Sequence, residues 1–372
     1  MKNLKEIRKE FPELERLVHL SSAALSLMPE RSKQAMIQAL TDREYTSEKR
    51  TAVRKERDLA ARREIAALIH ASAEDICMVA NTSEGLNILA QGLDLQAGDN
   101  VVLSEIEFSG NIIPWLNLEK KGVRIKRAKT EFGQDPTEKI LAAIDGRTRL
   151  VTLSFVGWID GFKTNVAEIG AYCRERGIIF VVDGIQGVGV MELNVTAAQV
   201  SFLSCGGQKW LMSPNGTGFI YVAKSVLPLI SQKYLGYLSI DNEADNTFDF
   251  ALPLKGDAAR FQIGAVNDKG IAAMERSLSL ILETGIADIQ DHVIGLNRYA
   301  GEGLRKMGYT LVSDRRPDHM SSILSFWGDD TLGAYHRLTR KGVIVSLRNG
   351  WIRVSPHLYN TEQDIDKFLA AL

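Results

Sequence analysis

The sequence predicts an α/β fold: a mostly parallel sheet flanked by helices, followed by a smaller α+β C-terminal domain. Three observations carry this. Strands that are apolar on both faces alternate with amphipathic helical patterns from "DNVVLSEI" to "GFIYVA", the signature of a parallel sheet covered on both sides. The pattern then changes after Lys255 to long helices and short strands. Finally, 45% of the 372 residues are hydrophobic, enough to bury a large core.

Taken in order, "DNVVLSEI" is a strand and is followed by a helical segment near Gly110–Lys121. "VRIKRAKT" precedes the helix of "PTEKILAAI", and "RLVTLSFV" precedes "VAEIGAYCRERG". The strands "IIFVVDG", "VSFLSCG" and "GFIYVA" complete the series. Beyond Lys255 come the helices "NDKGIAAMERSLSLILETG" and "IADIQDHVIGLNRYAGEGLRKMG", strands at "SSILSFW" and "WIRVSPH", and helices in "TLGAYHRLTRKG" and "TEQDIDKFLAAL". The expected division is an N-terminal segment, 1–20, packing with the small domain, a large domain over 21–254, and a small domain over 255–372.

Composition narrows the function. The net charge is −1 and no long run carries one sign, which argues against a nucleic-acid or polyanion binder. The opening "MKNLKEIRKEFPELERL" has no apolar stretch of the secretory type, and no apolar run is long enough to span a bilayer. Three widely spaced cysteines, Cys77, Cys173 and Cys205, suggest a reduced, cytoplasmic setting without a disulfide framework or zinc site. The six histidines lack metal-ligand spacing. There is no GxxxxGK[ST] or GxSxG, and "DGIQGVG" does not fit GxGxxG.

Ligands of open α/β sheets bind beyond the carboxyl ends of the strands, and several polar residues fall there. Lys209 lies in "CGGQKWLMSPNGTGFIYV" between two apolar runs; it must be charged and paired, or neutral and used covalently. Asp183 ends the apolar strand of "FVVDGIQGVG", where it is either a turn or cap residue or a functional acid. Thr82 and Ser83 open the helix of "NTSEGLN", as an ordinary cap or as an anion site. Phe108 in "SEIEFSGNIIPW" can cover a flat ring or fill a satellite core. In "GWIRVSPHLYNT" strand alternation puts Ile352 and Val354 on one face and Trp351, Arg353 and Ser355 on the other, where Arg353 either clamps a carboxylate or faces solvent.

In this order the stretches "VHLSSAALSLMPE", "NTSEGLN", "EIEFSGNIIPW", "VVDGIQGVG", "GGQKWLMSPNGTGFIYV", "RFQIGAVN" and "IRVSPHLYNT" resemble class V of the pyridoxal-phosphate (PLP) enzymes. This is the aminotransferase and cysteine-desulfurase-like branch of PLP fold type I. The resemblance implies that Lys209 forms the Schiff base with PLP and serves as the catalytic acid/base. It implies that Asp183 pairs with the pyridine nitrogen, Gln186 bonds the ring oxygen and Phe108 stacks on the ring. Thr82 and Ser83 would hold the phosphate, and Gln208 stands where relatives often carry a phosphate-binding His. Ala265, within Gly264–Val266, matches a segment that reaches the phosphate from a second subunit, so a homodimer with shared sites is implied. Arg353 would bind the substrate carboxylate, with Trp158 on the substrate side.

The departures from the family pattern guide the rest. "RKGVIVSLRNGWIR" has no cysteine where desulfurases place a nucleophilic one, and Phe155 stands near a position where many carry Asn. The expectation is an amino-acid-specific C–S β-elimination lyase, with an aminotransferase or epimerase of a small amino acid as the alternative. A nicotinamide-dependent dehydrogenase and a catalytically silent binding protein are the readings from other classes.

Overall fold

The computed structural model describes residues 3–241, 253–313 and 316–372. Its centre is a seven-stranded sheet in the order Ile76–Val79, Gly218–Val222, Phe202–Gly206, Ile179–Asp183, Thr148–Ser154, Asn100–Ser104, Arg124–Ala128. Gly218–Val222 runs antiparallel to both neighbours, and every other pair between Phe202–Gly206 and Arg124–Ala128 is parallel. Val79, Ser104, Ser154, Asp183 and Gly206 therefore end on one edge of the sheet, beside Gly218, where the antiparallel strand begins.

The period-2 geometry of a strand sorts these side chains between two cores. Met78, Val102, Val151, Phe180, Val182, Leu203 and Phe219 enter one, with the helices Ser47–Ile69, Val166–Glu175 and Asp268–Thr284. Cys77, Val101, Leu103, Leu150, Val181, Phe202 and Ile220 enter the other, with Thr82–Gly92. Both faces are covered, which is why the strands read as continuous apolar runs. The helical segment expected near Gly110–Lys121 is three short pieces, Ser109–Asn111, Ile113–Leu116 and Asn117–Lys121. Pro114, which has no N–H to donate, sits at the start of the middle one and prevents a longer helix from running through it.

A four-stranded antiparallel sheet, Ser346–Arg348, Trp351–Val354, Leu324–Trp327, Thr310–Leu311, lies in the C-terminal part. Ile352, Val354, Leu324 and Phe326 face a third core with the helices Ile286–Lys306, Thr331–Arg340 and Glu362–Leu369. The N-terminal segment joins this part: Val18–His19 pairs in parallel with Val343–Ile344, and Ser21 bridges Ser355. The long helix Asp268–Thr284 packs on Glu30–Thr41 and Ser47–Ile69. No helix among the described residues is long and apolar enough to cross a membrane.

Candidate active site

Asp183 is the last residue of its strand and is only 2% exposed. Its Oδ1 accepts the N–H of Ile185 at 3.0 Å. Burial pushes its pKa up to about 6, against the pull of that N–H and of the Lys209 ammonium. Lys209 lies three residues past the neighbouring strand Phe202–Gly206. Burial lowers its pKa to about 8; Asp183 opposes this, while Arg353 and Arg348 add to it. Its Nζ stands 5.9 Å from the centre of the Phe108 ring. That ring is 44% exposed and meets Trp158 edge-on, with centroids 5.3 Å apart.

Arg353 is 2% exposed, and one of its terminal N–H groups donates to the Trp158 carbonyl. Its Nε has no partner, and no carboxylate pairs with it among the described residues. Burial, and secondarily Arg348, lower its pKa to about 10. A guanidinium buried this way is costly unless an anion completes it. The Trp158 indole donates to the Ile106 carbonyl at 3.0 Å, so one residue ties the Phe108 segment to Arg353.

Thr82 opens the helix Thr82–Gly92, which is capped by the Asn81 side chain accepting Glu84 N–H at 2.9 Å. The Thr82 hydroxyl accepts Gly206 N–H at 2.9 Å, so the helix start sits directly on the strand that leads to Lys209. Glycine at 206 leaves room here: a Cβ there would lie 2.7 Å from Gln208 Oε1 and 3.3 Å from Thr82 Oγ1. A Cβ at Gly110 would lie 3.3 Å from both Ser83 Oγ and the Phe108 ring. Small residues thus let Thr82, Ser83, Gln208 and Phe108 converge around a helix N-terminus, whose first N–H groups have no partner inside the helix.

Gln186 and Ala265 have other surroundings. Gln186 donates from its Nε2 to the Ala23 carbonyl, and its Oε1 accepts the Trp210 indole N–H, both at 3.1 Å. It therefore braces the residue after Lys209 against the segment near the N-terminus. Ala265 is exposed and lines a groove with Ala80, Glu84 and Gly216; none of the contacts around Lys209, Asp183 and Arg353 involves it.

Glu107 was not singled out by the sequence. Its Oε1 accepts Ser154 N–H at 2.8 Å, and its Oε2 accepts Ser154 Oγ–H at 2.5 Å and the Asn111 amide at 3.1 Å. Ser154 is the register partner of Asp183. Burial raises the Glu107 pKa to about 7, with the nearby Asp183 charge adding to it. The missed signal was an acid in the turn three residues after the strand Asn100–Ser104, next to Phe108. Arg348 was also not singled out, although it precedes the Asn349–Gly350 turn of the hairpin that carries Arg353.

This donor set fits PLP: an amine of lowered pKa, a buried acid that can face a ring nitrogen, an exposed aromatic face, a hydroxyl-lined helix start and an unsatisfied buried guanidinium. The fold and this set define a PLP-dependent enzyme of fold type I. The sequence pattern described as aminotransferase class-V matches residues 18–368, and the chain belongs to that family. It is 30% identical to a protein of Methanothermobacter thermautotrophicus described as a probable cysteine desulfurase, over 97% of this chain and 95% of that one. It is 27% identical to a Pyrococcus abyssi protein of the same description, over 99% and 96%. In structure it is similar to the cysteine desulfurase of Thermococcus onnurineus NA1 (TM-score 0.90, 23% identity, 100% and 97% covered). It is equally similar to a cystine C–S lyase, C-DES, solved with cysteine persulfide (TM-score 0.90, 21% identity, 97% and 98% covered).

Proposed function

We propose that this enzyme cleaves the C–S bond of cysteine-type amino acids by β-elimination. The carrying observation is a buried arginine without an acid partner beside a lysine of lowered pKa, in a chain whose three thiols are all buried. Burial pushes the Cys173 thiol up to about 12 and those of Cys77 and Cys205 higher still. A protonated, enclosed thiol is a poor nucleophile, and the hairpin before Arg353 offers no other. Sulfur then has to leave from Cβ rather than pass to an enzyme cysteine.

Bound PLP supplies the electron sink that makes the α-proton of an amino acid removable. Lys209, with a pKa of about 8, has a usable neutral fraction near neutral pH and moves that proton. Arg353 holds the α-carboxylate with parallel N–H groups. Asp183 places a negative charge at the ring nitrogen, Phe108 covers the ring, and Thr82, Ser83 and Gln208 hold the phosphate. The balance is an S-substituted cysteine plus water giving a thiol, pyruvate and ammonia. We also propose that a second copy of the chain brings its Ala265 segment to this site, so that the working form is a homodimer.

The test is a product assay with S-substituted cysteines, without added 2-oxo acid. Equal amounts of thiol, pyruvate and ammonia support the reading. If the cofactor accumulates in its amine form and turnover resumes only when a 2-oxo acid is added, the enzyme is an aminotransferase and the reading fails.

A further inference from the structure

The hairpin Ser346–Arg348/Trp351–Val354 places two arginines on one face. Its register pairs Ser346 with Arg353 and Arg348 with Trp351. Residues two apart along a strand share a face, so Arg348 and Arg353 are diagonal neighbours, with Cα atoms roughly 7–8 Å apart by ordinary sheet geometry. The opposite face, with Ile352 and Val354, is sealed in the small-domain core.

Some arginines elsewhere in the chain have acid partners, such as Arg8 with Asp364, Arg31 with Glu10 and Glu283, Arg57 with Asp42, and Arg337 with Asp330. Arg348 has none among the described residues, and its guanidinium bonds only the Leu347 carbonyl, at 3.2 Å. Its charge is nevertheless felt inside the site, where it opposes protonation of both Lys209 and Arg353. The one α-carboxylate of an amino acid satisfies Arg353 and leaves the exposed Arg348 free to meet a second anion.

We propose that Arg348 is a second anion-binding residue of the active site, and that the preferred substrates are amino acids whose side chain ends in a carboxylate or sulfonate-like group beyond the sulfur. Two arginines on one face of the hairpin can meet an amino acid that carries one carboxylate at Cα and a second anion a few bonds past Cβ. This inference rests on the amino-acid reading of the site, but not on the elimination step.

The experiment uses the full chain loaded with PLP and titrates the change in cofactor absorption with matched pairs. S-carboxymethyl-L-cysteine is set against S-propyl-L-cysteine, and S-sulfo-L-cysteine against S-methyl-L-cysteine. The anionic member of each pair binds about tenfold tighter, the lower end expected for a hydrogen bond to a charged group. In Arg348→Gln the ratio of the two dissociation constants falls to near one, and Arg348→Lys, which keeps the charge but not the fork, retains part of it. Arg353→Gln weakens both members. A wild-type ratio near one, or a ratio kept intact in Arg348→Gln, overturns the inference. If the ratio holds but no pyruvate forms, the elimination reading fails and Arg348 keeps its role. If pyruvate forms from both members with no preference, the reverse is true.

Discussion

Lys209 owes its chemistry to its surroundings. A lysine in water stays protonated far above neutral pH, and here burial outweighs the attraction of Asp183. Replacing it by Ala removes the group that would hold the cofactor covalently. Borohydride treatment followed by peptide mapping should label the Gly206–Met212 region in the wild type and leave Lys209→Ala unlabelled. A label on Lys163 or Lys224 would refute the assignment. Glu107 acts on the same site through charge. Asp183, at about 6, ionises before Glu107, at about 7, and its charge helps to keep the Glu107 proton in place. Glu107→Gln removes an ionisation near pH 7 and leaves that of Asp183, near pH 6, in place. The kcat/KM profile of Glu107→Gln should therefore keep its limb near pH 6 and lose any inflection near pH 7. A profile identical to that of the wild type would mean that Glu107 only tethers its segment.

At the scale of elements, the helix Thr82–Gly92 reaches the strand ends because Gly85 has no side chain. A Cβ there would lie 2.2 Å from Ser204 Oγ and 2.4 Å from Ile220 Cγ2. Ser204 Oγ also donates to the Thr82 carbonyl at 2.9 Å, so packing and the placement of Thr82 and Ser83 depend on one contact. Gly85→Ala should cost about 1–3 kcal/mol through overpacking, lowering Tm and weakening PLP binding together. Gly295 makes a useful contrast: it lies in the helix Ile286–Lys306, and a Cβ there meets nothing within 4 Å. Gly295→Ala should raise stability by about 0.5–1 kcal/mol and leave PLP affinity alone. A Gly85→Ala protein with unchanged Tm would show that the helix shifts freely, and would remove the link between this contact and the site.

Across the whole molecule, the chain closes on itself through its N-terminal segment. Arg8 donates to both Asp364 and the Tyr359 carbonyl at 2.7 Å. Phe11 packs on the Tyr359 ring, with centroids 4.5 Å apart, and the Tyr359 hydroxyl meets Ser22 and His19. His357 bonds the carbonyl of Trp210, the residue after Lys209, so this network ends beside the site. Asp364 is 2% exposed but also accepts Thr361 N–H, which softens the loss of its cation. Arg8→Met should therefore cost about 1–3 kcal/mol, the penalty for leaving a buried polar group short of a partner. Chemical denaturation should show a lower midpoint with an unchanged slope. A midpoint equal to wild type would mean that the segment is held by Phe11 and the Val18–His19 pairing alone.

The sequence by itself determined the alternation of apolar strands and helices, and with it the sheet, because burial on both faces leaves a continuous local pattern. It also marked Lys209, Asp183 and Arg353, since a charged residue within or beside an apolar run stands out one-dimensionally. The long helix Ser47–Ile69, with charges around much of its surface, left no such pattern. Only the tertiary structure decided which polar groups are satisfied and by whom. Gln186 is engaged by Ala23, 163 positions away, and by Trp210, 24 positions away, while Arg353 is left with an unpaired Nε. Glu107 meets Ser154 across 47 positions of sequence, and Arg348 shares a face with Arg353 only through the hairpin register. Hydrogen bonds and electric fields act through space, over distances that chain separation does not measure, so the charge balance of the site had to wait for the fold.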